Sequence, residues 1–87
     1  MSEIQVEFFG MARQLSRCET TTVKAQTVAE VIAELSARYP ELATRCFDQG
    51  TLSPSWIFNV DGSFVRDGSQ PVASGSSILL MSADAGG

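Results

Sequence analysis

Histidine is absent from this sequence of 87 residues. The usual general base and the commonest metal ligand are therefore missing. Charge is scarce as well: charged residues make up 18%, against about 25% in ordinary domains. Six basic residues meet ten acidic ones, for a net charge of −4. These shortages exclude a basic nucleic-acid arm, a disordered acidic tail and a coiled coil. The chain has no general attraction for nucleic acid or for anionic membranes, and its partners are expected to offer basic surfaces. Two cysteines, Cys18 and Cys46, lack a metal spacing such as C-x-x-C, and no metal site is expected. They read as small, half-buried thiols in a reducing compartment, although the sequence leaves a bond between them open. Apolar runs last a few residues only, far short of a membrane span. The opening Met1-Ser2-Glu3-Ile4-Gln5 lacks the basic region and apolar run of a secretory signal. A cytoplasmic domain is the expectation, and a self-contained enzyme is disfavoured.

What is present is an ordinary globular content, 44% apolar, in a chain the size of one small domain. Ile4, Val6 and Phe8 alternate with Gln5 and Glu7, the period of a half-buried strand. Phe9 falls out of phase, and Gly10 permits a bend. Met11 to Arg17 reads as a loop or a single turn. Cys18 to Val23 is Thr-rich and suits a second strand, paired with the first as a hairpin. Thr27-Val28-Ala29-Glu30 is a capping box, with each end expected to satisfy the other's backbone N–H. Val28, Val31, Ile32, Leu35 and Tyr39 then make one apolar helix face, which Pro40 stops. Glu34 and Arg38 stand in the favourable order for an ion pair.

Glu41 to Phe47 forms a short second helix or turn, with Leu42 and Phe47 inward. Gln49 to Ser55 reads as loop. Trp56 to Val60 is a strand, with Trp56 a packing anchor. Asp61-Gly62 favours a type I′ turn, and Ser63 to Arg66 is the return strand. Val72 packs inward. Ser77 to Ser82 is apolar on both faces, so it belongs in the middle of the sheet. One long helix must cover one face of a mixed sheet, with the last strand parallel to the first. The expected fold is α+β, a β-grasp, with a domain over residues 1–82 and a flexible tail over 83–87.

The tail ends in Ala85-Gly86-Gly87, directly after the expected central strand. With it stand Val6-Glu7-Phe8-Phe9-Gly10-Met11-Ala12-Arg13, Thr27-Val28-Ala29-Glu30-Val31-Ile32, Tyr39-Pro40-Glu41-Leu42 and Phe58-Asn59-Val60-Asp61-Gly62. Together, in this order and spacing, they resemble the ubiquitin-like sulfur carriers. The Phe-Phe-Gly opening and Tyr-Pro-Glu-Leu are most similar to the small subunit of molybdopterin synthase. Two departures stand out: Ser82-Ala83 occupies the place of a frequent proline pair, and Gly75-Ser76 lacks the acidic residue usual there.

The resemblance implies a protein co-substrate rather than a catalyst. An E1-like adenylating enzyme would use ATP to activate the carboxylate of Gly87, sulfur would convert it to a thiocarboxylate, and the molybdopterin synthase large subunit would receive that sulfur. No cofactor is expected to be bound by the carrier itself. Gly86 and Gly87 carry no Cβ, so nothing crowds the adenylate or the incoming sulfur. Ordering such a tail costs roughly 1–2 kcal/mol per residue, which a docking surface on the domain must offset. The resemblance places partner-facing residues at Phe9 and Met81, with Val65 in a looser match. Each has a plainer reading as packing: Phe9 under a loop, Met81 in the core. Arg13 reads as loop surface. Asp61, Asp67 and Asp84 either meet a basic rim or, for the first two, serve their turns. The same tail suits a carrier for thiamine, cysteine or tRNA thiolation and a ubiquitin-like protein modifier; in a third reading the chain is a plain binding module and the tail is accidental.

Overall fold

The computed structural model describes residues 3–83. Strand β1 (Glu3–Phe8) alternates exposed and buried side chains, with Ile4, Val6 and Phe8 sealed from solvent. It pairs antiparallel with β2 (Thr20–Lys24) and parallel with β7 (Ser77–Ser82). On the other side β7 pairs antiparallel with β5 (Trp56–Val60), which pairs with β6 (Ser63–Val65). The order β2-β1-β7-β5-β6 puts the most apolar strand in the centre. This is the β-grasp expected from the sequence.

Helix α2 (Val28–Arg38) covers the inner face and buries Val28, Val31, Ile32 and Leu35 against it. The cap is half as expected. Glu30 N–H donates to Thr27 Oγ1 at 3.2 Å. The Glu30 carboxylate reaches one residue further back and accepts from Gln26 N–H at 2.8 Å. Carbonyls of Gly68 and Gln70 accept from Ala29 and Val28 N–H, each at 2.9 Å, so the loop after β6 also caps this helix. Arg38 pairs with Glu34 at 3.6 Å.

Three segments are more ordered than their composition suggests. Met11–Ser16 is a helix, α1, that buries Ala12 and Ser16. Pro40 ends α2 and begins α3 (Pro40–Cys46), with Tyr39 serving both helices as a cap. Proline suits the first helical position, where its missing N–H has no partner to lose. Within the expected loop, β4 (Thr51–Leu52) folds back on β3 (Phe47–Asp48) as a small hairpin. Asp61 and Gly62 both take positive φ, 51° and 95°, as a type I′ turn requires.

Both cysteines are free. Cys46 is fully buried, and desolvation pushes its thiol up to about 12. Cys18 donates to the Tyr39 hydroxyl at 3.6 Å, and Tyr39 stands edge-on to Phe8. Burial is the main cause of the raised Tyr39 pKa. Trp56 and Val72 lie in the core, as the sequence indicated.

Candidate functional site

The outer face of the sheet, away from α2, is set by strand alternation. Ile4, Val6 and Phe8 point inward, so Glu7 and its odd-numbered neighbours point outward. Ile78 and Leu80 point inward, so Leu79 and Met81 point outward. Met81 is paired with Ile57, and Leu79 with Asn59. Phe8 is paired with Leu80, so Phe9 and Met81 are the next residues of the two parallel strands. The Phe9 N–H donates to the Leu80 carbonyl at 3.1 Å, which holds Phe9 against this strand.

Phe9, Met81 and Ile57 thus form an apolar row across three strands, at the end where β7 gives out. Phe9 is 46% exposed and Met81 only 8%, and Met81 stands outside the main core cluster. Met11, 45% exposed, follows just beyond Gly10. Two of the three residues singled out for docking are therefore neighbours. Val65 is not with them. It pairs with Phe58, a sealed core residue, and packs on the inner side. Its neighbour Phe64 faces outward opposite Asn59 and is 61% exposed, the most of any large apolar residue described. The two-residue turn at Asp61-Gly62 forces this register: Val60 meets Ser63, Asn59 meets Phe64, and Phe58 meets Val65. Counting from the turn would have found Phe64.

The other singled-out residues have local duties. Asp61 Oδ1 accepts from the Ser77 N–H at 3.0 Å and so ties the turn to the start of β7. Asp67 Oδ1 accepts from the N–H and the hydroxyl of Ser69, which hold its carboxyl below the usual range. Arg13 donates to the Phe8 carbonyl at 3.4 Å and pairs with Glu19 at 3.5 Å. Asp84, Gly86 and Gly87 lie outside the described residues.

The root of the tail is described. Ala83 N–H donates to the Ser55 carbonyl at 2.8 Å, and Ser82 is paired with Trp56. The apolar row therefore sits beside the point from which the diglycine segment continues. Among the described residues no group of three Cys, Asp or Glu is placed to hold a metal ion. No described helix is long and apolar enough to cross a membrane. A surface depression of about 470 Å³, lined by Glu3, Gln5, Thr22 and Ser74 to Ser76, lies at the other end of β1.

Residues 6–87 match the model of the ThiS family. The chain belongs to the ThiS family. It is a ubiquitin-fold protein of the sulfur-carrier and modifier class, and small carriers of this kind are generally non-catalytic subunits. No curated protein matches this ThiS-family chain by sequence. Solved structures do. Small archaeal modifier protein 1 from Methanosarcina acetivorans superposes with a TM-score of 0.85 at 22% identity, over 100% of this chain and 98% of that one. The Amycolatopsis orientalis BexX/CysO complex gives 0.81 at 22% identity, over 97% and 99%. The complex of subunits 1 and 2 of molybdopterin-converting factor from Helicobacter pylori gives 0.65 at 20% identity, over 92% of each chain. At these identities the likeness speaks for the fold.

Proposed function

We propose that this ThiS-family chain is a sulfur carrier whose terminal carboxylate, on Gly87, is the working group. A carboxylate is a poor acyl electrophile until it becomes a mixed anhydride. In this reading an E1-like adenylating enzyme joins Gly87 to AMP from ATP and releases pyrophosphate. A sulfur donor then displaces AMP and leaves a thiocarboxylate. No cofactor stays on the carrier. The thiocarboxylate is ionised at neutral pH and needs no histidine from this chain to act as a nucleophile.

The observation that carries the reading is the apolar row of Phe9, Met81 and Ile57 beside the root of the diglycine segment. A terminal carboxylate held in a partner's site needs a nearby docking surface to offset the entropy of fixing it there. Phe9 and the nearby Met11 are the exposed part of that surface, with Met81 as its buried floor, and exposed apolar side chains of this kind mark docking sites. Phe64 lies on the same outer face in the next row, opposite Asn59, and the excess of acidic residues suits a basic rim on the partner.

The finer proposal is that the chain serves molybdopterin synthesis as the small subunit of molybdopterin synthase, donating sulfur to a precursor held by the large subunit. The Phe9-Gly10 opening and Tyr39-Pro40-Glu41-Leu42 support this branch, as does the likeness to the subunit 1 and 2 complex. The likeness to a small archaeal modifier protein supports a second reading, in which Gly87 is joined to a lysine of a target protein. Likeness to the BexX/CysO complex keeps other sulfur-delivery pathways beside both. Removal of Gly87 is the test. It should abolish sulfur delivery to the precursor by the reconstituted synthase and leave the melting temperature unchanged. Delivery by the shortened chain would refute the tail mechanism.

A further inference from the structure

Arg66 follows the last residue of β6 and has no carboxylate within 4.0 Å among the described residues. Its guanidinium is spent on backbone carbonyls. Nη1 donates to Trp56, and Nη2 to Ser53 at 3.0 Å and to Leu52 at 3.4 Å. The Ser53 and Trp56 carbonyls belong to the two ends of one tight turn, and Leu52 ends β4 just before it. Trp56 N–H donates to the Ser53 carbonyl at 3.0 Å, with Pro54 at the second position, where its fixed φ suits a turn. Ser53 N–H donates to the Cys46 carbonyl at 2.9 Å and anchors the turn to the end of α3.

Successive carbonyls of extended backbone point to opposite edges. The Ser55 carbonyl points toward β7 and accepts from Ala83 N–H. The Trp56 carbonyl points the other way, past the end of β6, where no strand partner remains. Arg66 takes that place. The planar fork of an arginine reaches several acceptors at once, which a lysine ammonium does not do with the same geometry. From this arrangement we infer that Arg66 is a positioning residue for the transfer chemistry: it braces the turn of residues 52–56, and that turn fixes Ala83, from which the diglycine segment continues.

The inference rests on the proposed carrier role, because a fixed root matters to a carboxylate presented to an adenylating enzyme. Arg66 bonds to backbone carbonyls and to no side chain of the docking row, and Ile57 keeps its ladder to Met81 when the brace is gone. Loss of Arg66 therefore leaves docking intact and makes the bound tail harder to align. Arg66→Met keeps the aliphatic stem, and Arg66→Lys keeps the stem and the charge.

Amide hydrogen exchange and ATP–pyrophosphate exchange with the E1-like adenylating enzyme test this together on the full chain. In both variants the Ala83 amide should exchange about tenfold faster, while the Phe58 and Leu80 amides keep their protection. The kcat of carboxylate activation should fall several-fold at unchanged KM. Unchanged Ala83 protection overturns the brace. So does general loss of protection in Arg66→Lys, which would make Arg66 a residue of overall stability. A released Ala83 with unchanged kcat overturns the positioning role. If the wild-type chain itself is not activated, the carrier reading falls, and the Ala83 amide alone decides the brace.

Discussion

Phe8 and Phe9 are adjacent, chemically identical, and assigned to opposite tasks. Phe8 is sealed in the core, edge-on to Tyr39 with ring centroids 5.5 Å apart. Phe8→Ala should cost about 3–5 kcal/mol through lost burial and the cavity left behind. A domain of 87 residues has roughly 4–13 kcal/mol in all at about 0.05–0.15 per residue, so this variant should stand near unfolding. Phe9 is 46% exposed and keeps its backbone bond to Leu80 whatever its side chain. Phe9→Ala should cost about 1 kcal/mol of stability, the ordinary value for a half-covered site. Its effect belongs in docking. A phenylalanine ring offers roughly 200 Å², so about 90 Å² is left for a partner to cover. At about 25 cal/mol per Å² full coverage is worth about 2 kcal/mol, or roughly 30-fold in Kd. Urea unfolding measures the first quantity, and calorimetric titration with the adenylating enzyme measures the second. Equal losses of stability in the two variants would refute the assignment of faces. An unchanged Kd for Phe9→Ala would refute the docking row.

The core and the turns supply further tests. Gly62 sits at φ 95° with its N–H donating to Asn59 Oδ1 at 2.8 Å; Gly62→Ala should cost about 1–2 kcal/mol in urea unfolding, because a side chain there strains the backbone. Thr27→Ala removes the acceptor for Glu30 N–H and should cost about 1 kcal/mol, read the same way. Burial pushes the Cys46 thiol up from its ordinary 9.0 to about 12 in the fold. The unfolded chain therefore gives up its proton first, and this contribution to stability is whole below pH 9 and lost as the pH rises toward 12. Cys46→Ala should make the alkaline loss of stability shallower, although Tyr39, also raised, keeps part of it. At neutral pH iodoacetamide should label the half-exposed Cys18 and leave Cys46 untouched in the folded protein.

Strong local signals carried most of the fold into view. The alternation of Ile4, Val6 and Phe8, the single apolar stripe of α2, the Asp61-Gly62 turn and the doubly apolar Ser77–Ser82 run each have one good structural solution, and together they require the β-grasp. Short elements were hidden for a physical reason. The six residues of α1 and the two-residue strands β3 and β4 are too short to show a period, and their order comes from contacts with the rest of the chain. Phe9 breaks its strand pattern, and the resemblance to the sulfur carriers marked both Phe9 and Met81. Val65 and Phe64 are told apart only by register, which the turn sets one residue at a time. Arg66 was invisible as a brace, since its partners are carbonyls ten to fourteen residues away, and carbonyls leave no mark in side-chain composition.

The central claim is that the chemistry belongs to the main-chain carboxylate of Gly87. Intact-mass spectrometry of the protein purified from its own cells addresses it directly. The account predicts a population in which one sulfur has replaced one oxygen, with the change located on Gly87 by fragmentation. A chain carrying only the plain carboxylate, in cells that contain the adenylating enzyme and its sulfur source, would contradict it.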